Sequence, residues 1–165
     1  MPAMLCESPL GRLFLEESAG GLSRIHCLAP GEGIPPLTGP TPLLEEARRQ
    51  LAAYFAGRLR VFDLPLSAPG TAFQRKVWDA LRRIGYGTVK TYGDIAREVG
   101  SPRGFRAVGM ACSRNPVIIV VPCHRVIGAG GTLTGFAYGV DMKSRLLEME
   151  GALRGKDAGN PLRFA

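Results

Sequence analysis

Apolar positions in the first thirty residues fall into short runs with no helical rhythm. Leu10 to Leu15 and Leu22 to Leu28 flank Ser18-Ala19-Gly20-Gly21, and two apolar runs parted by small turn-forming residues predict two strands joined by a tight turn. Gly31 to Pro42 reads as a loop rich in Gly and Pro. The period then changes. Leu43, Leu44, Ala47, Leu51 and Tyr54 recur on one helical face, with Thr41 placed to cap, Pro42 at the first helical position and Gly57 as the stop. Val61 to Leu66 fits a third strand. Further on, Phe73, Val77, Trp78 and Leu81 predict a helix over Thr71 to Ile84, ended by Gly85-Tyr86-Gly87. Two short helical stretches, Thr91 to Val99 and Arg103 to Cys112, are parted by Gly100-Ser101-Pro102, with Ser-Pro starting the second. That spacing suits a helix-turn-helix, and it also suits an ordinary helix pair. Val117 to Val121 is an unbroken β-branched run, expected as a buried strand closed by Pro122 and followed by the loop Gly128-Ala129-Gly130-Gly131. A last helix is expected from about Asp141 to Leu153, and the tail after Gly155 has no apolar periodicity.

These elements predict an α/β chain: a small N-terminal antiparallel-sheet domain with a helix, then a mainly helical domain. The border belongs in Leu64 to Gly70, where Pro65 and Pro69 coincide with a change of charge, giving residues 1–68, 69–155 and a tail 156–165. Residues 1–69 carry six basic and seven acidic side chains, whereas residues 70–154 carry thirteen and six, so the second part holds the excess behind the net charge of +7. A polyanion is the partner such a surface suits, although a solvated basic face with no ligand reads the same way.

At 165 residues and 45% apolar composition the chain can bury a sizeable core. Its longest charge-free apolar stretch, Pro116 to His124, falls far short of the roughly 20 residues a membrane helix needs. The opening residues lack the layout of a signal peptide, so a cytoplasmic location is expected. The four cysteines, Cys6, Cys27, Cys112 and Cys123, form no Cys-x-x-Cys pair and are expected as free thiols. Cys6, His26 and Cys27 could contribute to a structural metal site, but neighbours on a strand point to opposite faces, which argues against it.

Cys123 and His124 stand where Pro122 breaks the apolar run, so the chain can turn there and bring thiol and imidazole to one side. A thiol with a pKa near 8.5 is mostly neutral at physiological pH, and a nearby imidazole can take its proton, directly or through one water. A buried inert cysteine beside a hydrogen-bonded histidine satisfies the same residues.

Pro122-Cys123-His124-Arg125-Val126, preceded by Ile119-Val120-Val121 and followed by Ile127-Gly128, resembles the active-site signature of the methylated-DNA-protein-cysteine methyltransferases, or O6-alkylguanine-DNA alkyltransferases. The likeness continues through Phe73 to Trp78, Thr91-Tyr92-Gly93, Arg106-Ala107-Val108-Gly109, Asn115-Pro116, Lys143, Leu146-Leu147 and Glu150-Gly151. It covers residues 70–151 nearly continuously, with weaker traces at Ser8 to Gly11 and Ala53 to Phe55. The resemblance implies a small three-stranded first domain and a winged helix-turn-helix second domain. The implied reaction moves a methyl or other alkyl group from O6 of guanine in DNA to Cys123, irreversibly and once per protein molecule, with O4 of thymine left open as a second substrate. No cofactor and no metal are expected, and the implied partner is double-stranded DNA bound by a monomer.

Residue by residue, the resemblance makes Cys123 the acceptor, His124 a base acting through a water, and Glu150 the carboxylate orienting His124, a triad logic. Arg125 becomes a structural ion-pairing residue, Asn115 holds the turn that presents the active-site segment, and Tyr92 donates its hydroxyl to the purine N3 as charge develops. Because O6 is unreachable inside a paired stack, the base must be flipped, and Arg106 is expected to fill the space. Gly104, Phe105 and Thr91, with Tyr92, fall on the implied DNA side; Phe105 is bulkier than the small residue often found there. The carbonyls of Cys123 and Val126 are expected to accept from the guanine amino group. Gly135, Phe136, Ala137 and Tyr138 would close over the base, with Phe136 where the family usually has Tyr, and Tyr138 narrowing the room for large alkyl groups. Three rival readings are a non-catalytic binder of alkylated DNA, a helix-turn-helix regulator and a Cys-His hydrolase.

Overall fold

The computed structural model describes residues 1–133 and 135–152. Contacts divide the chain into one unit made of Met1–Pro69 with Pro116–Ile118 and another made of Gly70–Asn115 with Ile119–Ala165.

In the first unit, β1 (Ala3–Ser8), β2 (Gly11–Ser18) and β3 (Gly21–Cys27) form an antiparallel sheet in that order. Leu13, Phe14 and Leu15 are all buried, so both faces of β2 are covered; Phe14 packs with Ala3, Leu28 and Leu5 on one of them. Helix α1 (Pro42–Phe55) starts as its sequence predicts, with Thr41 Oγ1 accepting from the Leu44 N–H at 3.1 Å, and it buries Leu44, Ala47, Leu51 and Tyr54.

The expected third strand over Val61 to Leu66 is not one. That place in the sheet belongs to Ala3–Ser8, Val61 is 80% exposed, and the segment meets the sheet at its end, where Leu66 makes an isolated bridge to Leu22 and the Pro65 carbonyl accepts from the Leu22 N–H at 2.8 Å. The backbone of this segment is engaged elsewhere. The buried side chain of Gln50 donates to the Asp63 carbonyl at 3.0 Å and accepts from its N–H at 2.9 Å, while Pro65 has no N–H to give to a ladder. Cys6 and Cys27 both sit opposite Leu13, and His26 pairs with Glu32 at 2.7 Å. Among the described residues no group of three or more His, Cys, Asp or Glu is placed to hold a metal ion.

The second unit is helical: α2 (Ala72–Arg82), α3 (Tyr92–Glu98), α4 (Phe105–Ser113) and α5 (Val140–Met149), with two short parallel strands, β4 (Lys90–Thr91) and β5 (Val126–Ile127). Capping boxes open α2 at Thr71/Gln74 and α3 at Thr91/Asp94. The indole N–H of Trp78 donates to the Ala111 carbonyl at 2.9 Å and ties α2 to α4. Between α3 and α4, Gly100 takes φ 78°, which lets the chain reverse. The second of these helices begins at Phe105, later than expected, because Ser101 to Gly104 form a turn closed by Gly104 N–H donating to the Ser101 carbonyl at 2.7 Å. The last helix ends at Met149; Leu153 and the tail 156–165 lie outside the described residues.

Val117 to Val121 is buried as expected but is not a continuous strand. Ile25 accepts this segment at the edge of the first unit, its N–H donating to the Pro116 carbonyl at 2.9 Å. The chain then turns at Ile119 and Val120, with Ile119 at φ 74°. A β-branched residue in that region is strained and persists only when its surroundings fix it. The fixing contact is the Asn115 side-chain amide, which donates to the Val121 carbonyl at 2.8 Å and closes residues 115–121 into a loop.

Candidate active site

Pro122 ends that loop and hands the chain to a single 3-10 turn over Cys123–Arg125, held by Arg125 N–H donating to the Pro122 carbonyl at 3.0 Å. Three residues per turn send successive side chains in three directions. The Cys123 thiol meets Asn115, whose Nδ2 lies 3.3 Å from Sγ and can donate to it. His124 and Arg125 turn to Glu150, at the C-cap of α5, although 25 residues and more separate them in sequence.

Glu150 is the hub of a buried cluster. Its carboxylate accepts from His124 Nε2 at 2.8 Å, from Arg125 Nε at 2.8 Å and from Arg125 Nη2 at 3.0 Å. Arg125 also donates to the Ile84 carbonyl at 2.6 Å and lies over the Tyr86 ring at 5.8 Å. With Nε2–H given to the carboxylate, the second ring nitrogen of His124 is left with its lone pair, and that buried Nδ1 has no hydrogen-bond partner among the described residues. Burial holds His124 below the ordinary imidazole pKa, despite the opposing pull of Glu150, so the ring is neutral and able to accept a proton at neutral pH.

Burial pushes the Cys123 thiol up, offset in part by the Asn115 hydrogen bond and the charge of Lys143. The thiol is therefore protonated at rest and needs a base before it can act as a nucleophile. Tyr92 opens α3; burial, reinforced by the nearby thiols of Cys112 and Cys123, pushes its phenol well above the usual range, which keeps it a proton donor.

Tyr92, Phe105, Gly109, Met110, Ser113 and Gly135 line an open pocket of about 330 Å³, at the low end of the range for small-molecule sites. Phe105, Gly109 and Ser113 are four residues apart on α4 and so share one face. Phe105 and Met110 stay 52% and 55% exposed, and Arg106 is also exposed beside them, its guanidinium 5.9 Å from the Phe105 ring. Gly135 approaches Tyr92 so closely that a Cβ there would stand 2.7 Å from the phenol oxygen.

Of the residues singled out from sequence, Cys123 and Asn115 are in contact, His124 and Glu150 are in contact, and Tyr92 and Phe105 share the pocket wall. Thr91 caps α3 through its hydroxyl, which accepts from Asp94 N–H at 3.0 Å. Gly104 has a local reason to be small: a Cβ would stand 3.0 Å from Ser101 Cβ and 3.1 Å from its carbonyl oxygen. Val126 is buried in β5, its N–H donating to the Cys123 carbonyl, which keeps a second lone pair for another donor. Phe136 and Tyr138 pack ring against ring at 5.8 Å with Ala137 exposed between them, and none of the three is among the pocket's lining residues. Sequence reasoning missed Gly109, Met110 and Ser113, which the helical period starting from Phe105 could have supplied. It also missed the Asn115 contact with Sγ, for which the sequence carries no signal.

Family models cover nearly the whole described chain: the 6-O-methylguanine DNA methyltransferase ribonuclease-like domain matches residues 3–68, and the DNA-binding domain of the same family matches residues 72–152. The chain belongs to the 6-O-methylguanine DNA methyltransferase family. It is 47% identical to the methylated-DNA–protein-cysteine methyltransferase of Methanosarcina acetivorans over 152 residues, covering 88% of this chain and 96% of that one. The constitutive methylated-DNA–protein-cysteine methyltransferase of Bacillus subtilis is 45% identical over 152 residues, covering 87% and 92%. Among solved structures, Mycobacterium tuberculosis OGT in complex with DNA superposes with a TM-score of 0.82 at 41% identity, covering 92% of this chain and 94% of that one. Those structures share the N-terminal sheet domain and helical DNA-binding domain described above.

Proposed function

We propose that this protein repairs alkylated DNA by moving a methyl or other alkyl group from O6 of guanine onto Cys123. The observation that carries the reading is that one 3-10 turn holds both a buried thiol and a neutral imidazole whose buried Nδ1 has no hydrogen-bond partner among the described residues, in a chain of this family. His124 takes the thiol proton, through one water, and Glu150 holds the ring so that Nδ1 is the accepting atom. The Asn115 amide steadies the thiolate. The sulfur attacks the alkyl carbon in line with the leaving O6, the C–O bond breaks as the S–C bond forms, and the purine takes the electron pair. Tyr92 then gives its proton to N3, leaving neutral guanine. A thioether is chemically stable, so each molecule acts once.

A base inside a paired stack cannot reach a thiol of this burial, so the base must be flipped into the pocket beside Tyr92. The exposed N-terminal end of α4, with Arg106, Phe105 and the turn at Gly104, supports docking on duplex DNA, with Arg106 filling the gap left by the base. Phe136, Ala137 and Tyr138 follow the pocket-lining Gly135 and would close over the base, while the Cys123 and Val126 carbonyls accept from its amino group. The acting form is a monomer, since the whole reacting constellation lies within one chain, and we place it in the cytoplasm as part of the same proposal. Among the described residues no helix is long and apolar enough to cross a membrane.

Cys123→Ser tests the reading. Transfer of label from O6-methylguanine DNA should vanish while binding to the same duplex persists, because charge and shape outside the pocket are unchanged. Undiminished transfer by this variant would refute the assignment of the acceptor.

A further inference from the structure

Among the described residues of the second unit, the exposed large apolar side chains are Phe105, Met110 and Val140, and the first two stand on α4. That helix buries Val108, Ala111 and Cys112, so Phe105 and Met110 lie away from its packed face. Phe105 is the first residue of α4, and Cα–Cβ bonds tilt toward a helix N-terminus, which puts the ring at the leading end of the helix. The ring lines the pocket with Tyr92 and Gly135, and the Arg106 guanidinium lies 5.9 Å from its centre, within cation–π reach. Arg103 and Arg106 are exposed before and after it, and the chain has no acidic side chain between Glu98 and Asp141.

A half-exposed phenyl ring can meet a protein partner, a second copy of the chain or the face of a base. The surroundings favour the base. A ring set between two arginines, on a helix without acidic residues, suits a polyanion, and it adjoins the pocket that takes the flipped guanine. We infer that Phe105 is a wedge, its ring entering the minor groove beside Arg106 and prying apart the base step that adjoins the position the flipped guanine vacates. The inference rests on the base-flipping reading above and adds a second side chain to it. Arg106 fills the vacated space, and Phe105 opens the stack next to it.

Opening a step costs stacking energy, and the cost depends on which step is opened. Pyrimidine–purine steps unstack easily, whereas A-tracts are stiff and narrow in the minor groove. A phenyl ring stacked on an exposed base recovers part of the cost, and apolar wedges of this kind kink the duplex toward the major groove. Phe105 therefore makes repair depend on flanking sequence although it reads no base edge. Leucine at this position keeps an apolar wedge and alanine removes it. Because the ring is 52% exposed, neither change hollows the core, so both variants should fold.

The test uses duplexes with one O6-methylguanine, flanked on both sides either by TA steps or by A-tracts. Single-turnover transfer by wild type should run at least about fivefold faster in the TA context, the lower end of what stacking on one base contributes. Phe105→Ala should slow transfer in the TA context and bring that ratio close to one, and Phe105→Leu should keep most of it. In parallel, energy transfer between dyes at the duplex ends measures bending of the same DNA by each protein in a Cys123→Ser background, which binds the lesion without reacting. A bend of roughly 20° or more is expected with Phe105, retained by Phe105→Leu and lost in large part by Phe105→Ala.

A context ratio and bend unchanged in Phe105→Ala would overturn the wedge even where transfer is slower, because that pattern belongs to a ring that only lines the pocket. Wild-type self-association abolished by Phe105→Ala, with the bend intact, would assign the ring to a contact between copies and overturn it as well. Failure of wild type to accept label would instead sink the transfer reading, and the bend would still decide the wedge.

Discussion

Replacing Glu150 with Gln should cost more stability than almost any other isosteric change in the second unit. The glutamate is buried and its two oxygens accept from Arg125 Nε and Nη2 and from His124 Nε2 at 2.8 to 3.0 Å. The amide keeps the shape, but it leaves the guanidinium of Arg125, itself 6% exposed, without its counter-charge. Removing one partner of a buried ion pair costs about 3–5 kcal/mol, because the other charge stays buried. For a protein of this size each kcal/mol lowers the melting temperature by roughly 2–4 °C, so a fall of about 6–20 °C is expected. The chain's one tryptophan, Trp78, is buried and bonded to α4, so its fluorescence during urea unfolding reports the second unit directly. Transfer should slow by at least about tenfold, since the imidazole loses the carboxylate that fixes which nitrogen bears the proton. A double change to Met at Arg125 and Glu150 should lose less stability than the two single changes added together, because no unpaired charge remains. A loss below about 1 kcal/mol for Glu150→Gln, or strictly additive losses in the cycle, would refute the ion cluster as the support of His124.

Acid should weaken both fold and chemistry through His124. Its folded pKa lies below the ordinary 6.5, so stability is fully present above 6.5 and is lost as pH falls from 6.5 through the folded value, where the buried ring must charge; the transfer rate should fall with it as the base protonates. Urea midpoints and single-turnover rates that stay level between pH 7 and 5 would contradict this. Gly135→Ala should be harmful twice over, since φ is 76° there and the new Cβ would stand 2.7 Å from the Tyr92 oxygen. Gly109→Ala, whose Cβ would lie 3.9 Å from the Tyr92 ring, serves as the tolerant comparison. A loss of roughly 1 kcal/mol or more and slower transfer are expected for Gly135→Ala, and parity with Gly109→Ala would remove Gly135 from the pocket account. Arg106→Ala should slow repair of a base-paired lesion more than reaction with free O6-methylguanine, which needs no flipping; an equal loss on both would argue against Arg106 as the residue that replaces the base.

Local signals in the sequence were strong wherever side chain and backbone bond within a few residues. Thr41, Thr71 and Thr91 cap the helices that follow them, and the helical stripe of Leu44, Ala47, Leu51 and Tyr54 is the buried one. The sequence failed where a distant side chain claims the backbone. Val61 to Leu66 has strand composition, yet Gln50 occupies the backbone of Asp63, and that contact crosses thirteen residues. Val117 to Val121 reads as strand because β-branched residues favour extended backbone, yet the Asn115 amide folds the run into a turn with Ile119 at positive φ. The motif around Cys123 was legible as a string. The approach of Lys143 to the Tyr92 ring depends on tertiary packing that no spacing rule encodes.

The central claim is that one alkyl group ends on one sulfur of this chain. Mixing the protein in excess with duplex DNA carrying a radiolabelled O6-methylguanine, counting label per protein and locating it by peptide mass tests that claim most directly. The account predicts label equal to the lesions supplied, then saturation at one methyl per protein molecule when lesions are in excess, all of it on the peptide containing Cys123. Label released as a small molecule, more than one lesion repaired per protein, or a methyl found on Cys112 instead would contradict it.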